Sequence, residues 1–125
     1  MNSMSNPIVL KSAIIGKVWT NKVQNVILPN NFTLPVDMSF GKNESYLIGG
    51  LSMKTNRHLN ASKETGVEAP VVVKAGEKLF FYANNKRTDN DPDYSVSVVL
   101  PQDVADTVIA NEKNGISAWK ASQVA

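Results

Sequence analysis

An alternation of apolar and polar side chains between Phe32 and Phe40 places the strongest restriction on how this chain can fold. Every second residue of that segment is large and apolar, and the residues between them are small or polar. A period of two is typical of a β-strand that has one face in the core and the other in water. Pro35 has no amide hydrogen for a strand partner, so we expect an edge strand or a bulge at that position.

Related patterns recur on both sides of this segment, as far as Leu100. Gly16 and the Gly49-Gly50 pair interrupt two of them, which predicts bends or bulges of the kind that curled sheets require. We predict further strands over residues 8–20, 23–28, 45–54, 71–74, 78–83 and 94–100, with 71–83 as a hairpin.

Helical spacing replaces the strand pattern near the C-terminus, where Val104, Val108 and Ile109 predict a helix that covers one end of the strands. Asn114-Gly115 is a typical helix end, so we expect a second short helix or a tail after it. The predicted organisation is a single domain, 1–125, with a flexible N-terminus at 1–7, a β-barrel at 8–100 and a C-terminal helical segment at 102–125.

Several short strands followed by one helix predict a mainly β fold. We expect a small Greek-key barrel of five to six strands, of the OB type, with the helix at its C-terminal end. A β-sandwich or jelly roll is the alternative, because periodicity alone does not distinguish the two architectures.

The absence of Cys and the single His exclude several classes of protein. The chain cannot form a disulfide scaffold, a thiolate nucleophile or a cysteine-ligated zinc site, and His58 alone cannot build a multi-histidine metal site. No apolar run approaches the roughly 20 residues that span a bilayer, and residues 1–7 lack the features of a secretion signal. We therefore expect a cytoplasmic protein that is not an enzyme, with no cofactor, no metal and no membrane partner.

Charge is distributed unevenly along the chain. Residues 1–88 contain eleven basic and five acidic side chains, a net charge of +6, whereas residues 89–125 contain two basic and six acidic side chains, a net charge of −4. A basic body attracts the phosphates of nucleic acids, in a way that weakens steeply with salt. The alternative is an ordinary solvated surface.

Aromatic rings and cations occur together between residues 78 and 94. In a strand over 78–83, Phe80 and Tyr82 point away from Leu79 and Phe81, so one pair can fill the core while the other stays outside. An exposed ring beside cations is what the binding of a single-stranded nucleic acid requires, because each stacked base contributes about 1–3 kcal/mol and the cations hold the phosphates.

Trp19 repeats this combination on the first predicted strand, where Lys11, Ile15, Lys17 and Trp19 are expected to share one face. The alternative is that the rings fill the core and the cations lie in solvated turns. The residues that we expect to bind nucleic acid are Trp19, Tyr82, Lys17, Lys86, Arg87, Lys11, Phe80 and Arg57.

Asp89, Asp91 and Asp93 alternate in the way that a calcium loop begins, but no glycine follows at the sixth position and Leu100 stands where the bidentate glutamate is required. A tight turn in which aspartate accepts hydrogen bonds from backbone amides before Pro92 is the better interpretation.

The segment from Asn85-Lys86-Arg87 to Asp91-Pro92-Asp93-Tyr94, followed by an alternating strand, resembles a pattern in small OB-like single-stranded-DNA-binding proteins encoded by phages and plasmids. The resemblance covers about 20 of the 125 residues. It implies a role in phage or plasmid nucleic-acid binding and carries over no catalytic residue.

These observations predict a protein that binds single-stranded DNA without catalysis, by base stacking and phosphate neutralisation, in phage or plasmid replication or recombination. We expect a homo-oligomer, and RNA is a possible ligand because stacking and charge distinguish it poorly from DNA. The alternative function is a phage virion subunit or a protein that binds and inhibits a host factor.

Overall fold

The computed structural model describes residues 8–19, 30–48, 51–85 and 87–124. The predicted flexible N-terminus at 1–7, the predicted strand at 23–28 and the predicted kink at Gly49-Gly50 lie outside these residues. The described elements are β1 (Leu10–Trp19), β2 (Asn31–Thr33), β3 (Met38–Phe40), β4 (Ser45–Ile48), β5 (Leu51–Thr55), β6 (Val71–Val73), β7 (Lys78–Ala83), β8 (Tyr94–Pro101) and α1 (Gln102–Val124).

Six of these strands form one curled antiparallel sheet in the order β2-β7-β8-β1-β5-β4, and β3 pairs with β6 in a second, smaller sheet. The large sheet is a half-barrel, which together with the C-terminal helix is consistent with an OB-like barrel. The predicted mainly β fold with a C-terminal helix is therefore confirmed.

The core lies on the inner face of the large sheet. Leu79 and Phe81 of β7 are buried there, whereas Phe80 is half-buried and Tyr82 is exposed on the other side. This alternation follows from the strand geometry, because successive side chains leave opposite faces. The other core residues include Ile15, Val18, Phe40, Met53, Val71, Val73, Val96, Val98, Ala105 and Val108.

The segment from Phe32 to Phe40 forms two strands rather than the single strand that its alternation predicts. β2 pairs with β7 at one edge of the large sheet, whereas β3 pairs with β6 in the small sheet. Pro35 lies in the break, and the Asp37 carboxylate accepts a hydrogen bond from the Ala75 amide at 2.8 Å. Because proline cannot donate to a ladder, the chain leaves the large sheet there.

Two other predicted pairings are wrong. Residues 45–54 are not one kinked strand, because β4 and β5 form an antiparallel pair in which Ile48 lies opposite Leu51. Residues 71–83 are not a hairpin, because β6 belongs to the small sheet and β7 to the large one. In both cases the periodicity identifies strand residues but does not identify their partners.

β1 contains a β-bulge. Ile14 lies opposite Ser97 and Gly16 opposite Val96, so Ile15 is an extra residue in the ladder with β8. Ile15 and Val18 are consequently both buried, although an unbroken period of two would place them on opposite faces. The bulge predicted at Gly16 is confirmed, and the predicted shared face of Ile15 and Trp19 is wrong.

Asn114-Gly115 does not end α1, which is continuous from Gln102 to Val124. A Cβ atom on Gly115 would lie 2.2 Å from Cγ of His58, so glycine at this position allows the loop after β5 to contact the helix. The amide of His58 donates to Oε1 of Glu112 at 3.1 Å, and Nδ2 of Asn111 donates to the Asn60 carbonyl at 2.8 Å. Gly115 therefore marks a close approach rather than a helix end.

Gly115→Ala is expected to lower the free energy of unfolding by about 1–2 kcal/mol, because the added methyl would overlap the base of the His58 side chain. The usual effect of this substitution inside an exposed helix is the opposite, a gain of about 1 kcal/mol. Urea unfolding of both forms measures the difference. In a His58→Gly background the same change should be stabilising, and stabilisation in both backgrounds would contradict the packing role.

Candidate nucleic-acid interface

The face of the large sheet opposite the core, called here the outer face, brings together residues from distant parts of the sequence. Tyr82 on β7 lies opposite Ser95 on β8, and Ser95 lies opposite Lys17 on β1. Lys17 in turn lies opposite Lys54 on β5. Residues that face each other across neighbouring strands project from the same side of a sheet. We call Tyr82, Ser95, Lys17 and Lys54 the cross-strand row.

The cross-strand row is accessible from solvent. Tyr82 is 54% exposed, Lys54 is exposed, and Lys17 and Ser95 are half-buried. Nζ of Lys17 donates a hydrogen bond to Oγ of Ser95 at 3.1 Å, which holds the ammonium group over the sheet. With neighbouring strands about 4.8 Å apart, the Cα atoms of Tyr82 and Lys54 are separated by about 14 Å.

Trp19 lies two residues after Lys17 on the same face and is half-buried. Its indole Nε1 donates to the carbonyl oxygen of Asn90 at 2.9 Å, so the ring is held at the end of β1. An open depression of about 300 Å³ beside it is lined by Lys17, Trp19, Lys54 and Arg57, together with Asn43, Thr55 and Asn56. Three predicted binding residues, Lys17, Trp19 and Arg57, are thus neighbours in the structure.

The strands of the large sheet carry no acidic side chain in the described part of the chain. They contain four lysines and no Asp or Glu. Among the described residues, neither Lys17 nor Lys54 has an ion-pair partner. The two lysines lie opposite each other, and like charges in such positions destabilise a sheet. The ion pairs of the described residues are Lys11–Asp106, Lys42–Glu68 and Lys74–Asp37.

Arg87 lies in the loop between β7 and β8, which Asp91 organises. Oδ2 of Asp91 accepts hydrogen bonds from the amides of Arg87 at 2.8 Å and Thr88 at 3.2 Å, and Oδ1 accepts the Thr88 hydroxyl at 3.1 Å. These hydrogen bonds, that of the Arg87 amide above all, lower the pKa of the Asp91 carboxyl because they favour its charged form. The tight turn predicted before Pro92 is confirmed.

The same loop sets a limit to the positive surface. It contacts the end of β1 through the bond from Trp19 to Asn90 and a second bond from the Asp93 amide to the Val18 carbonyl at 3.0 Å. Since the loop carries three aspartates between residues 89 and 93, the cationic part of the outer face is bordered by acidic residues at Trp19.

Three predicted residues that the structure describes, Lys11, Phe80 and Arg87, belong neither to the cross-strand row nor to the lining of its depression. Lys11 precedes the bulge and lies opposite Leu100, so it is on the other face from Lys17, and its Nζ pairs with Asp106 of α1 at 2.6 Å. The predicted shared face of Lys11 with Lys17 and Trp19 is therefore wrong. Phe80 is on the outer face opposite Ser97 and half-buried. Lys86 lies outside the described residues.

Two residues of the outer face, Lys54 and Leu47, are not among the residues predicted from the sequence to bind nucleic acid. Lys54 lies between the buried residues Met53 and Thr55 on β5, an alternation that identifies it as outward-facing once β5 is separated from β4. Leu47 on β4 is 79% exposed and shares a row with Trp19 through Ser52. No sequence signal distinguishes this leucine from a core residue.

The described residues offer no group of three or more His, Asp or Glu side chains that could hold a metal ion. α1, the one helix in the described part of the chain, is not apolar enough to cross a membrane. Comparison with known proteins finds no matching family model, and neither a curated protein nor a solved structure is significantly similar to this chain.

Proposed function

We propose that this protein binds single-stranded DNA on the outer face of its half-barrel, without catalysis and without a cofactor. The observation that carries the proposal is the cross-strand row, in which an exposed tyrosine and two lysines lie side by side on strands free of acidic residues, the lysines having no ion-pair partner among the described residues. A flexible single-stranded nucleic acid matches this surface, because cations hold its phosphates and aromatic rings stack on its bases.

The electrostatic part of the binding rests on Lys17 and Lys54. The two residues are opposite each other on neighbouring strands and have no carboxylate partner among the described residues, so a bound phosphate reduces their repulsion as well as gaining two attractions. Each neutralised phosphate also releases a condensed counterion, which makes the affinity fall as the salt concentration rises. Arg57 at the depression extends the positive surface, whereas Arg87 lies in the loop between β7 and β8 that also carries three aspartates.

The stacking part rests on Tyr82 and Trp19. More than half of Tyr82 is exposed, and its ring has no described contact with another aromatic ring, since Phe40 and Tyr46 form the ring pair of the described residues. Base stacking on such rings tolerates any sequence, because every base has a flat face. Binding without strong sequence preference follows, and RNA remains a second ligand to test.

A titration of the full chain with oligo(dT), duplex DNA and oligo(U) tests the proposal. We expect the single strands to quench the fluorescence of the two tryptophans, Trp19 and Trp119, and duplex DNA to bind more weakly. The affinity should fall by orders of magnitude between about 50 and about 200 mM salt if several phosphates are contacted. Absence of quenching and of any salt-dependent binding would overturn the proposed function.

Tyr82→Ala is expected to weaken oligo(dT) binding by about 1–3 kcal/mol, equivalent to about 5- to 150-fold, because one stacking ring is removed from an exposed position. Fluorescence titration at fixed salt measures the change. Tyr82→Phe is the matched control, since it retains the ring and should bind within twofold or so of the parent. Equal losses in the two variants would show that the hydroxyl, not stacking, is what matters.

The biological setting that fits this proposal is the replication or recombination of phage or plasmid DNA in the cytoplasm of a host. The segment from Asn85 to Tyr94 supports it through its resemblance to OB-like proteins of such elements, and the half-barrel is consistent with that fold. Coating of a long strand would require several copies, so we also propose that the protein self-associates.

An interaction with another protein is the second candidate, and one observation favours it. β4 is an edge strand of the large sheet and carries Leu47, which is 79% exposed. Unpaired strand edges with apolar side chains add strands from other chains. Assembly that is insensitive to salt and occurs without oligonucleotide binding would favour a virion subunit or an inhibitor over the DNA-binding function.

A further inference from the structure

A second depression lies between α1 and the outer side of β1. It has a volume of about 720 Å³, and Lys17 lines both this groove and the depression beside Trp19. The cross-strand row is therefore continuous with the groove on the side away from the acidic loop between β7 and β8. We call this second depression the helix groove.

The helix groove combines an apolar floor with a cationic rim. Ile14 of β1 and Ile109 and Ile116 of α1 are 49%, 40% and 41% exposed in it. Lys113 and Lys120 alternate with these isoleucines at positions 109, 113, 116 and 120, a spacing that keeps all four on one face of the helix. Apolar side chains on a helix face that no described residue covers need another partner.

The charge of the groove favours an anionic partner. Lys17, Lys113 and Lys120 border it, and none of the three has an ion-pair partner among the described residues. Glu112 is the one acidic residue of the lining, and its Oε1 accepts the hydrogen bond from the His58 amide. Three lysines thus border an apolar strip, and the single carboxylate of the lining accepts a hydrogen bond from a backbone amide.

From this geometry we infer that the helix groove binds the continuation of the same single strand, with bases on the isoleucine floor and phosphates at Lys113 and Lys120. The inference rests on the proposed function and adds to it the path of the ligand. The strand runs from the cross-strand row, past Lys17, and along α1, because Lys17 lines both depressions and the loop with three aspartates borders the opposite direction. The C-terminal half of α1 is then part of the binding surface rather than only a cover for the core.

The test compares Lys113→Gln/Lys120→Gln with the parent protein on dT oligonucleotides of about 4 and about 16 nucleotides, the range of site sizes for one OB fold. We expect equal binding of the short oligonucleotide, which fits on the cross-strand row alone. The long oligonucleotide should bind about tenfold more weakly to the variant, and the slope of log affinity against log salt should fall by about 1.4, or 0.7 for each phosphate that is no longer neutralised.

Lys42→Gln/Lys74→Gln is the matched control, because it makes the same change in net charge at two lysines that pair with Glu68 and Asp37, away from the groove. An equal loss in the control and the variant, or no loss of long-strand binding in either, would overturn the inference while the proposed function stands. If neither oligonucleotide binds the parent protein, the proposed function fails and the inference with it.

Discussion

Gly16→Ala is expected to lower the free energy of unfolding by about 2–3 kcal/mol, a large effect for the addition of one methyl group. A Cβ atom at this position would lie 2.6 Å from the carbonyl oxygen of Lys54 and 3.1 Å from Cα of Thr55. Both are backbone atoms of β5, so no side-chain rotation relieves the overlap and the two strands must move apart. Equilibrium unfolding in urea measures the loss.

Gly41→Ala is the control for this prediction. A Cβ atom there would meet Oε1 of Glu44 at 3.3 Å, the far end of a flexible side chain that can move. We expect a change within about 0.5 kcal/mol, as for most substitutions outside tightly packed positions. Similar unfolding midpoints for the two variants would show that β1 and β5 do not approach as closely as described.

Lys17→Gln/Lys54→Gln is expected to weaken oligo(dT) binding about a hundredfold at low salt, about tenfold or 1.4 kcal/mol for each charge-assisted contact. The two lysines lie opposite each other in the cross-strand row, so we expect both to contact the same stretch of the ligand. The slope of log affinity against log salt should fall by about 1.4, since each single-strand phosphate that is no longer neutralised accounts for about 0.7.

The fold should tolerate this double substitution, because it removes a like-charge repulsion and leaves no ion pair broken among the described residues. A higher or unchanged unfolding free energy together with the loss of binding identifies the lysines as ligand contacts. The Lys42→Gln/Lys74→Gln protein serves again as control. Unchanged affinity and slope in Lys17→Gln/Lys54→Gln would remove the cross-strand row from the binding site.

The sequence predicted the strands better than their pairing. Alternation located β1, β7 and β8 within a few residues, because burial of one face imposes a period of two. It could not reveal that Pro35 divides one alternating segment between two sheets, since both halves bury the same kind of side chain. Gly115 shows the limit of a local signal in the helix. Glycine is typical of helix ends, but here it lies inside α1 because His58, which is distant in sequence, contacts the helix at this position.

In the candidate site, too, local sequence patterns identify some residues, whereas others depend on long-range pairing. Trp19, Lys17 and Tyr82 were predicted from rings and cations that are adjacent in sequence, and they do lie on one face. The sequence pattern places Lys11 on that face as well, because the extra residue in β1 is visible only in the pairing of β1 with β8. Lys54 and the helix groove depend on long-range pairing and packing, for which no local pattern exists.

Ligand binding on the cross-strand row would also affect the cooperativity of folding. Its four residues come from four different strands, and the hydrogen-bonded registers of those strands hold them in line. A ligand attached along the row would oppose the separation of any two of those strands, since separation would break its own contacts. At a free concentration of a hundred times its dissociation constant it would add about 2.7 kcal/mol to the unfolding free energy, so β7, β8, β1 and β5 should gain protection from hydrogen exchange together rather than one by one.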